Sequence, residues 1–455
     1  MKNTFLSQPY LLSLHPDSEM HILWIQWEPY CGTVEYGPSP ALGHTVNACC
    51  RPLTGLRAPA SDSGYAEVPE DNPEVTLWQC EAVLSALSPG QTMYYRCHAN
   101  GDSTPIYDFH TAPAPGNPYR FAQISDLQGL PRCNETVYQI GRKHPDFILF
   151  SGDAAYVSWR LDHWFDVQES WQSPDAAARA FFPCMQQQNG ARLMQYAPTY
   201  FCPGNHDMND WRVDLDPELC QKDEVWNWSI YMQLFAPLYI ENTDTTLSGK
   251  RWYSADYSDM HIISLSIQRC AMWNPYVHPG WRLIDPIDPD SPQVTWLKED
   301  LASASARYKW VIQHWHLLNK GSDVQPNLCN PVFAEDGTIS YPHNYGQMLM
   351  DLYEKGHVNA VSYGHSHVYE RYFAQGTHYI EAAFLSVCYR EQNAPSHPSG
   401  HLPLVEDNSR RSFLIVDRND DGLFGTGYYC DEEPILFDRY QLADAQGNPV
   451  EPHNR

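Results

Sequence analysis

The stretch Tyr363-Gly-His-Ser-His-Val-Tyr-Glu-Arg371 places two imidazoles, His365 and His367, two positions apart behind a glycine that closes the apolar run Val358–Tyr363. On a tight turn, imidazoles at that spacing can each face a different metal ion; an i,i+4 pair stacks on one helix face and does so less readily. The stretch gains weight from four earlier segments built to the same plan. These are Phe121-Ala-Gln-Ile-Ser-Asp126, Phe147-Ile-Leu-Phe-Ser-Gly-Asp153, Tyr200-Phe-Cys-Pro-Gly-Asn-His-Asp207 and Trp310-Val-Ile-Gln-His314. Each is an apolar run that ends in a polar or charged residue, often beside glycine, before a segment of helical character. In α/β sheets, sites form beyond the carboxyl ends of the strands, so the five tips are expected to converge.

In chain order the candidates are Asp126, Asp153 with Tyr156, Asn205 with His206 and Asp207, His314, and His365 with His367. Two cations at the roughly 3.5–4 Å of a two-metal site repel strongly and need an anionic bridge. Asp153 in Gly152-Asp-Ala-Ala-Tyr156 is the choice for that bridge. Carboxylate and phenolate oxygens suit trivalent iron, whereas imidazole and amide oxygen suit a divalent partner.

A chain of 455 residues exceeds one ordinary domain, and its 43% hydrophobic and 13% aromatic content argues against disorder. Residues 1 to about 112 read as short strands joined by turns, including His21-Ile-Leu-Trp-Ile-Gln-Trp27, Gly32-Thr-Val-Glu-Tyr-Gly37 and Glu74–Val83. That spacing suggests a β-sandwich. Thr111-Ala-Pro-Ala-Pro-Gly-Asn-Pro118 is the expected linker, and residues 119–440 the expected catalytic domain.

A formal net charge of −26, from 55 acids against 29 bases, disfavours a nucleic-acid surface, which needs a basic stripe. Any phosphate-bearing substrate must then be held by local cations, and bound metal ions would supply them. No apolar run approaches the roughly 18–20 residues that span a bilayer. Ser7, Gln8, Pro9, Ser13 and His15 interrupt any signal-peptide core. The expected compartment is therefore the cytoplasm, or a secreted or periplasmic setting if a leader has been removed. The 13 cysteines include no CxxC pair, and buried free thiols in a reducing compartment are expected.

The order and wording of the five segments resemble the purple acid phosphatases, a branch of the calcineurin-like metallophosphoesterases. Gly-Asp-x-x-Tyr, Cys-Pro-Gly-Asn-His-Asp, Val-x-x-His at His314 and Gly-His-x-His-x-Tyr-Glu-Arg carry the resemblance. Val34-Glu-Tyr-Gly37 and Leu87-Ser-Pro-Gly90 look like that family's fibronectin-type front domain. The resemblance implies a four-layer α/β/β/α metallophosphoesterase domain preceded by a fibronectin type III-like sandwich. It also implies an Fe(III) site at Asp126, Asp153, Tyr156 and His367, and a second site for Fe, Zn or Mn at Asp153, Asn205, His314 and His365. A tyrosinate at Tyr156 would colour the protein. One departure stands out: where the family usually has Asp-x-Gly, this chain reads Asp126-Leu-Gln-Gly129, and Gln128 occupies the position at which other metallophosphoesterases carry histidine.

The implied activity is hydrolysis of small phosphate monoesters by metal-hydroxide attack, with an acidic optimum. The leaving alkoxide calls for an acid. His206, oriented by Asp207, is the first choice and His316 the second. A phosphodiesterase or pyrophosphate-cleaving enzyme on the same metals is the alternative, as is a catalytically silent binding protein; self-association is left open. Three other signals read as structure. Asp417-Arg-Asn-Asp-Asp-Gly422 opens like a calcium loop but has Tyr428 where the bidentate glutamate is needed, so a hairpin between Phe413–Val416 and Leu423–Tyr429 is expected. Trp159, Trp164 and Trp171 are expected to pack in an insertion, and Cys202 to be a structural thiol.

Overall fold

A computed structural model describes residues 4–58, 73–128, 133–165, 180–186, 192–208, 229–239, 250–268, 283–318, 332–333, 339–340, 343, 345–382, 402–407 and 409–452. Trp171, Asn227 of a glycosylation-like triplet, and the Gly321-Ser-Asp segment after the fourth motif lie outside them.

Between residues 10 and 110 lie strands β1 (Tyr10–Leu12), β2 (Met20–Gln26), β3 (Thr33–Gly37), β4 (His44–Asn47), β5 (Cys49–Arg57), β6 (Glu74–Leu84), β7 (Thr92–Ala99), β8 (Asp102–Ser103) and β9 (Tyr107–His110). They make two antiparallel sheets, ordered β1-β2-β6-β5 and β4-β3-β7-β8, with β9 also paired to β7. Along β7, Met93, Tyr95, Cys97 and Ala99 are buried and their neighbours are not, the period-2 signature of a half-buried strand. They pack against Leu11, Ile22 and Trp24 of the first sheet.

Strand β2 is buried on both faces. Ile22 and Trp24 face the second sheet, while Leu23 and Ile25 on the opposite face join a core shared with residues from Tyr119 onward. A sheet covered on both faces needs apolar side chains on both. The reading of free thiols is corrected in part. Cys50 and Cys80 sit directly opposite on β5 and β6, with Cα atoms 4.2 Å apart, and form a disulfide. Antiparallel register unites residues 30 apart, which spacing along the chain does not signal. Four of the free cysteines among the described residues, Cys97, Cys133, Cys184 and Cys202, are buried.

The expected linker is pinned down rather than free. Ala112 N–H donates to Pro16 O, and its side chain is fully buried.

Beyond it lie β10 (Tyr119–Ile124), α1 (Cys133–Gly141), β11 (Phe147–Phe150), short helices α2 (Leu161–Trp164), α3 (Phe181–Met185) and α4 (Leu193–Tyr196), β12 (Thr199–Phe201) and α5 (Ile230–Leu234). There follow β13 (Tyr253–Tyr257), β14 (Met260–Ser264), α6 (Pro292–Ser303), β15 (Tyr308–Ile312), the ribbon β16 (Val332–Phe333) and β17 (Ile339–Ser340), α7 (Gly346–Lys355) and β18 (Ala360–Tyr363). The described chain ends with β19 (Tyr369–Ala374), β20 (Thr377–Ala382), β21 (Val405–Asp407), β22 (Ser412–Asn419), β23 (Gly422–Tyr429) and β24 (Ile435–Asp444). The β22–β23 pair is the hairpin expected in place of a calcium loop.

Two mixed sheets result, ordered β12-β11-β10-β22-β23-β24 and β13-β14-β15-β18-β20-β19-β21. Their inner faces share one core, in which Phe121 of β10 meets Trp310 of β15 edge-on at 5.0 Å. Helices α6 and α7 cover the second sheet through Val294, Leu297, Leu301, Leu349, Met350 and Tyr353. Ser291 caps α6 by accepting from Val294 N–H at 3.4 Å, and Pro292 opens its first turn, where a missing N–H costs nothing. In the first sheet β10, β11 and β12 run parallel; in the second, β14, β15 and β18 do. Their carboxyl ends are where the five motifs sit.

Candidate metal centre

The first tip, after β10, carries Asp126, whose carboxylate accepts the backbone N–H of His365 at 3.0 and 3.1 Å. His367 Nε2 stands 3.4 Å from Asp126 Oδ1. The second tip, after β11, carries Asp153. Its Oδ1 accepts His206 N–H at 2.9 Å, and its Oδ2 lies 3.2 Å from His314 Nε2. Asn205 Oδ1 is 3.0 Å from His314 Nε2 and 3.0 Å from His365 Nδ1. Asp126, Asp153, Asn205, His314, His365 and His367, from five loops up to 241 positions apart, are thus linked by contacts of 3.4 Å or less.

Local backbone explains how they fit. Asp126, Asp153, His365 and His367 all adopt positive φ, from +54° to +80°. That conformation is uncommon outside glycine and of the kind that gathers at ligand clamps. Glycines make room for the carboxylates: a methyl on Gly204 would overlap Asp153 Oδ1, and one on Gly364 would overlap Asp126 Oδ2.

Asp126, Asp153, Asp207 and His314 form a buried floor, whereas Tyr156, His206 and His365 are half-buried at the rim. Tyr156 stacks on His206 with ring centroids 4.5 Å apart. His206 Nδ1 is 2.7 Å from the Tyr156 carbonyl oxygen. The expectation that Asp207 orients His206 is therefore corrected. Both Asp207 oxygens are taken by backbone N–H groups of Asp153 (2.7 Å), Ala154 (2.8 Å), Ala155 (3.3 Å) and Gly204 (2.9 Å). Neighbours on a tight turn point apart, so Asp207 staples the Asp153 loop to the Gly204 loop. His316 lies close by, with Nδ1 3.3 Å from Ser366 Oγ and its ring 5.8 Å from that of His365.

The donor set fits a cation. His314 Nδ1 lies 2.8 Å from Ser151 O, which only accepts, so Nε2 is the nitrogen turned to Asp153 and Asn205. Burial opposes a charge on His314, but the Asp153 carboxylate outweighs it and pushes the imidazole up to about 10. Burial likewise opposes the Asp153 charge, and His314 and His206 hold that carboxyl below the usual range. His365 is driven down to about 3 by burial and by His314, so it stays neutral, as a ligand must. A cation at Asp153, His314 and His365 would take the place of the His314 proton; these three offer ligand atoms all within 4.8 Å of one another. Burial pushes the Cys202 thiol well up, in keeping with a structural role.

Two contributors lie outside the expected ligand and acid residues. Gln128 Nε2 donates to Asp153 Oδ2 at 2.6 Å, and Glu381 on β20 accepts Ser366 N–H at 2.8 Å, bracing the turn between the paired histidines. An acid inside the apolar strand Tyr379-Ile-Glu381 was the one cue to the latter.

The family model for calcineurin-like phosphoesterases matches residues 119–369, more than half of the chain and the whole span from β10 to the paired histidines. The chain belongs to that family. Human acid phosphatase type 7 is 24% identical over 388 residues, 83% of this chain and 73% of the relative. Purple acid phosphatase 21 of Arabidopsis thaliana is 21% identical over 294 residues, 64% of this chain and 52% of the relative. Among solved structures, a purple acid phosphatase from yellow lupin seeds superposes with a TM-score of 0.63 at 15% identity, covering 95% of this chain and 73% of that one. PhoD gives 0.60 at 10% identity, covering 100% and 93%. The metallophosphoesterase α/β fold with two mixed sheets is thus this chain's fold. Among the described residues no helix is long and apolar enough to cross a membrane.

Proposed function

We propose that the chain is a di-metal phosphohydrolase that cleaves small phosphate monoesters. The observation that carries this reading is the run of contacts from Asp153 Oδ2 through His314 Nε2 and Asn205 Oδ1 to His365 Nδ1, each 3.0–3.2 Å. Kinship with proteins named acid phosphatase and purple acid phosphatase supports it. Asp126, Asp153, Tyr156 and His367 would hold ferric iron, and Asp153, Asn205, His314 and His365 a divalent iron, zinc or manganese ion. Bound there, the two cations would supply Lewis acidity and neutralise the charge of the ester. His206 would protonate the leaving alkoxide. Because the Tyr156 carbonyl takes its Nδ1 side, Nε2 is the nitrogen that would serve the leaving group. Residues 1–112 are read as a fibronectin type III-like domain and 119–440 as the catalytic domain. The Cys50–Cys80 disulfide favours an oxidising compartment over the cytoplasm.

Elemental analysis paired with p-nitrophenyl phosphate and its bis-ester tests the reading. Purified protein is expected to carry two metal ions and to cleave the monoester faster. Asn205→Ala or His365→Ala is expected to lower metal content and to cut turnover by at least the roughly 10–100-fold that losing a ligand's orienting partner costs; unchanged turnover in either removes that residue from the site. Iron-loaded protein is expected to be coloured and Tyr156→Phe to bleach it. A colourless iron-loaded wild type ends the tyrosinate assignment.

A further inference from the structure

Gln128 is a long, unbranched residue that is 4% exposed and held at a φ of +44°. Left-handed backbone disfavours such a residue, and glycine would adopt it freely. What the side chain touches explains its presence. The Gln128 main-chain N–H donates to Asp153 O at 3.3 Å and its side-chain Nε2 to Asp153 Oδ2 at 2.6 Å. Around the Asp153 carboxylate, Oδ1 takes the His206 backbone N–H, and Oδ2 meets Gln128 Nε2 and His314 Nε2. Of these three partners, Gln128 alone reaches Asp153 from the Asp126 loop, and it shares Oδ2 with His314.

We propose that Gln128 is the positioning residue for the shared carboxylate. A carboxylate oxygen offers about two lone-pair directions. With one held by the amide of Gln128, the other is aimed at the His314–Asn205–His365 group. Gln128 thereby sets the affinity of that group for its cation without binding the cation itself. The proposal rests on the di-metal reading above.

Titration of metal-free protein with zinc, followed by calorimetry, tests it. Wild type is expected to bind two ions. Gln128→Leu, which keeps bulk but loses the donor, is expected to bind one ion as wild type does and the other about 10–100-fold more weakly, the usual cost of losing a partner that orients a ligand. Gln128→Glu, near-isosteric and without an N–H, is expected to weaken the same ion, and it decides the matter if the leucine variant does not fold. Wild-type affinity for both ions in Gln128→Leu overturns the proposal, whether or not the metal-free protein melts earlier, because the role is then only structural. Tighter binding in Gln128→Glu also overturns it, since residue 128 would then be a ligand. Wild type that binds no zinc defeats the di-metal reading and this proposal with it.

Discussion

Asp207 shows how much of the site is decided by a single carboxylate that touches no candidate ligand side chain. It is fully buried and takes four backbone N–H groups, two on each oxygen. Burial and the nearby Asp153 charge push its carboxyl upward, while the N–H donors favour the ionised form. Asparagine would set an NH2 group against two of those donors. Asp207→Asn is therefore expected to cost about 2–4 kcal/mol of stability and to release metal, since a buried donor left facing a donor forfeits its full desolvation cost. Denaturant melts with metal counting check this; wild-type stability in the variant would show that the staple is not needed. The role was not legible in Asn205-His-Asp207, because sequence adjacency suggests that Asp207 serves His206, and only the turn geometry shows the two side chains diverging.

At the scale of elements, α6 is tied to the second sheet by His261 of β14, whose Nε2 meets Asp300 at 2.9 Å while Nδ1 meets Asp256 at 2.7 Å. Burial lowers the pKa of His261, but the two aspartates outweigh it and raise the group to about 9. A raised histidine stabilises the fold fully below its unfolded value near 6.5, and that contribution is lost as pH climbs through 9. It amounts to at most about 3 kcal/mol by linkage, and less in practice because Asp256 is 68% exposed and screened. Stability measured from pH 6 to 10 is expected to fall in wild type and to flatten in His261→Gln; parallel curves would refute the tie. His378 has the opposite sign. Burial and Arg371 hold it near 3, so its contribution is present above about 6.5 and lost as pH falls. Such element-level ties are invisible in sequence, whereas the strands that carry the ligands were readable. Runs such as Phe147–Phe150 and Trp310–Ile312 are apolar because both faces of their sheets are covered, and each breaks where the chain turns into the site.

For the whole molecule, the linker that separates the two expected domains in sequence does not separate their cores. Tyr10, Leu12, Leu23, Ile25, Leu53, Leu56 and Leu77 of the first domain are buried in the same cluster as Phe182, Leu234 and Phe235 of the second. Tyr10 Oη and Gln79 Nε2 donate to Leu234 O at 2.9 and 2.8 Å, Tyr95 Oη donates to Gln195 O at 2.7 Å, and Thr54 and Gln233 exchange two hydrogen bonds. Arg57 N–H donates to Trp159 O at 2.8 Å, so the first domain also braces the loop that follows Tyr156. Proline and glycine in Thr111–Pro118 signalled a break in periodicity, but they carried no information on the contacts across it. At roughly 1.5–3 kcal/mol per buried apolar side chain, the seven residues together contribute about 10–20 kcal/mol, comparable to the whole stability of a typical domain. A fragment of residues 113–455 is therefore expected to be insoluble alone and to recover solubility and metal when co-expressed with residues 1–112. A soluble lone fragment with a cooperative melt and two metal ions would refute this, because its apolar face would then tolerate water and the Tyr156 loop would hold its shape without the contact from Arg57.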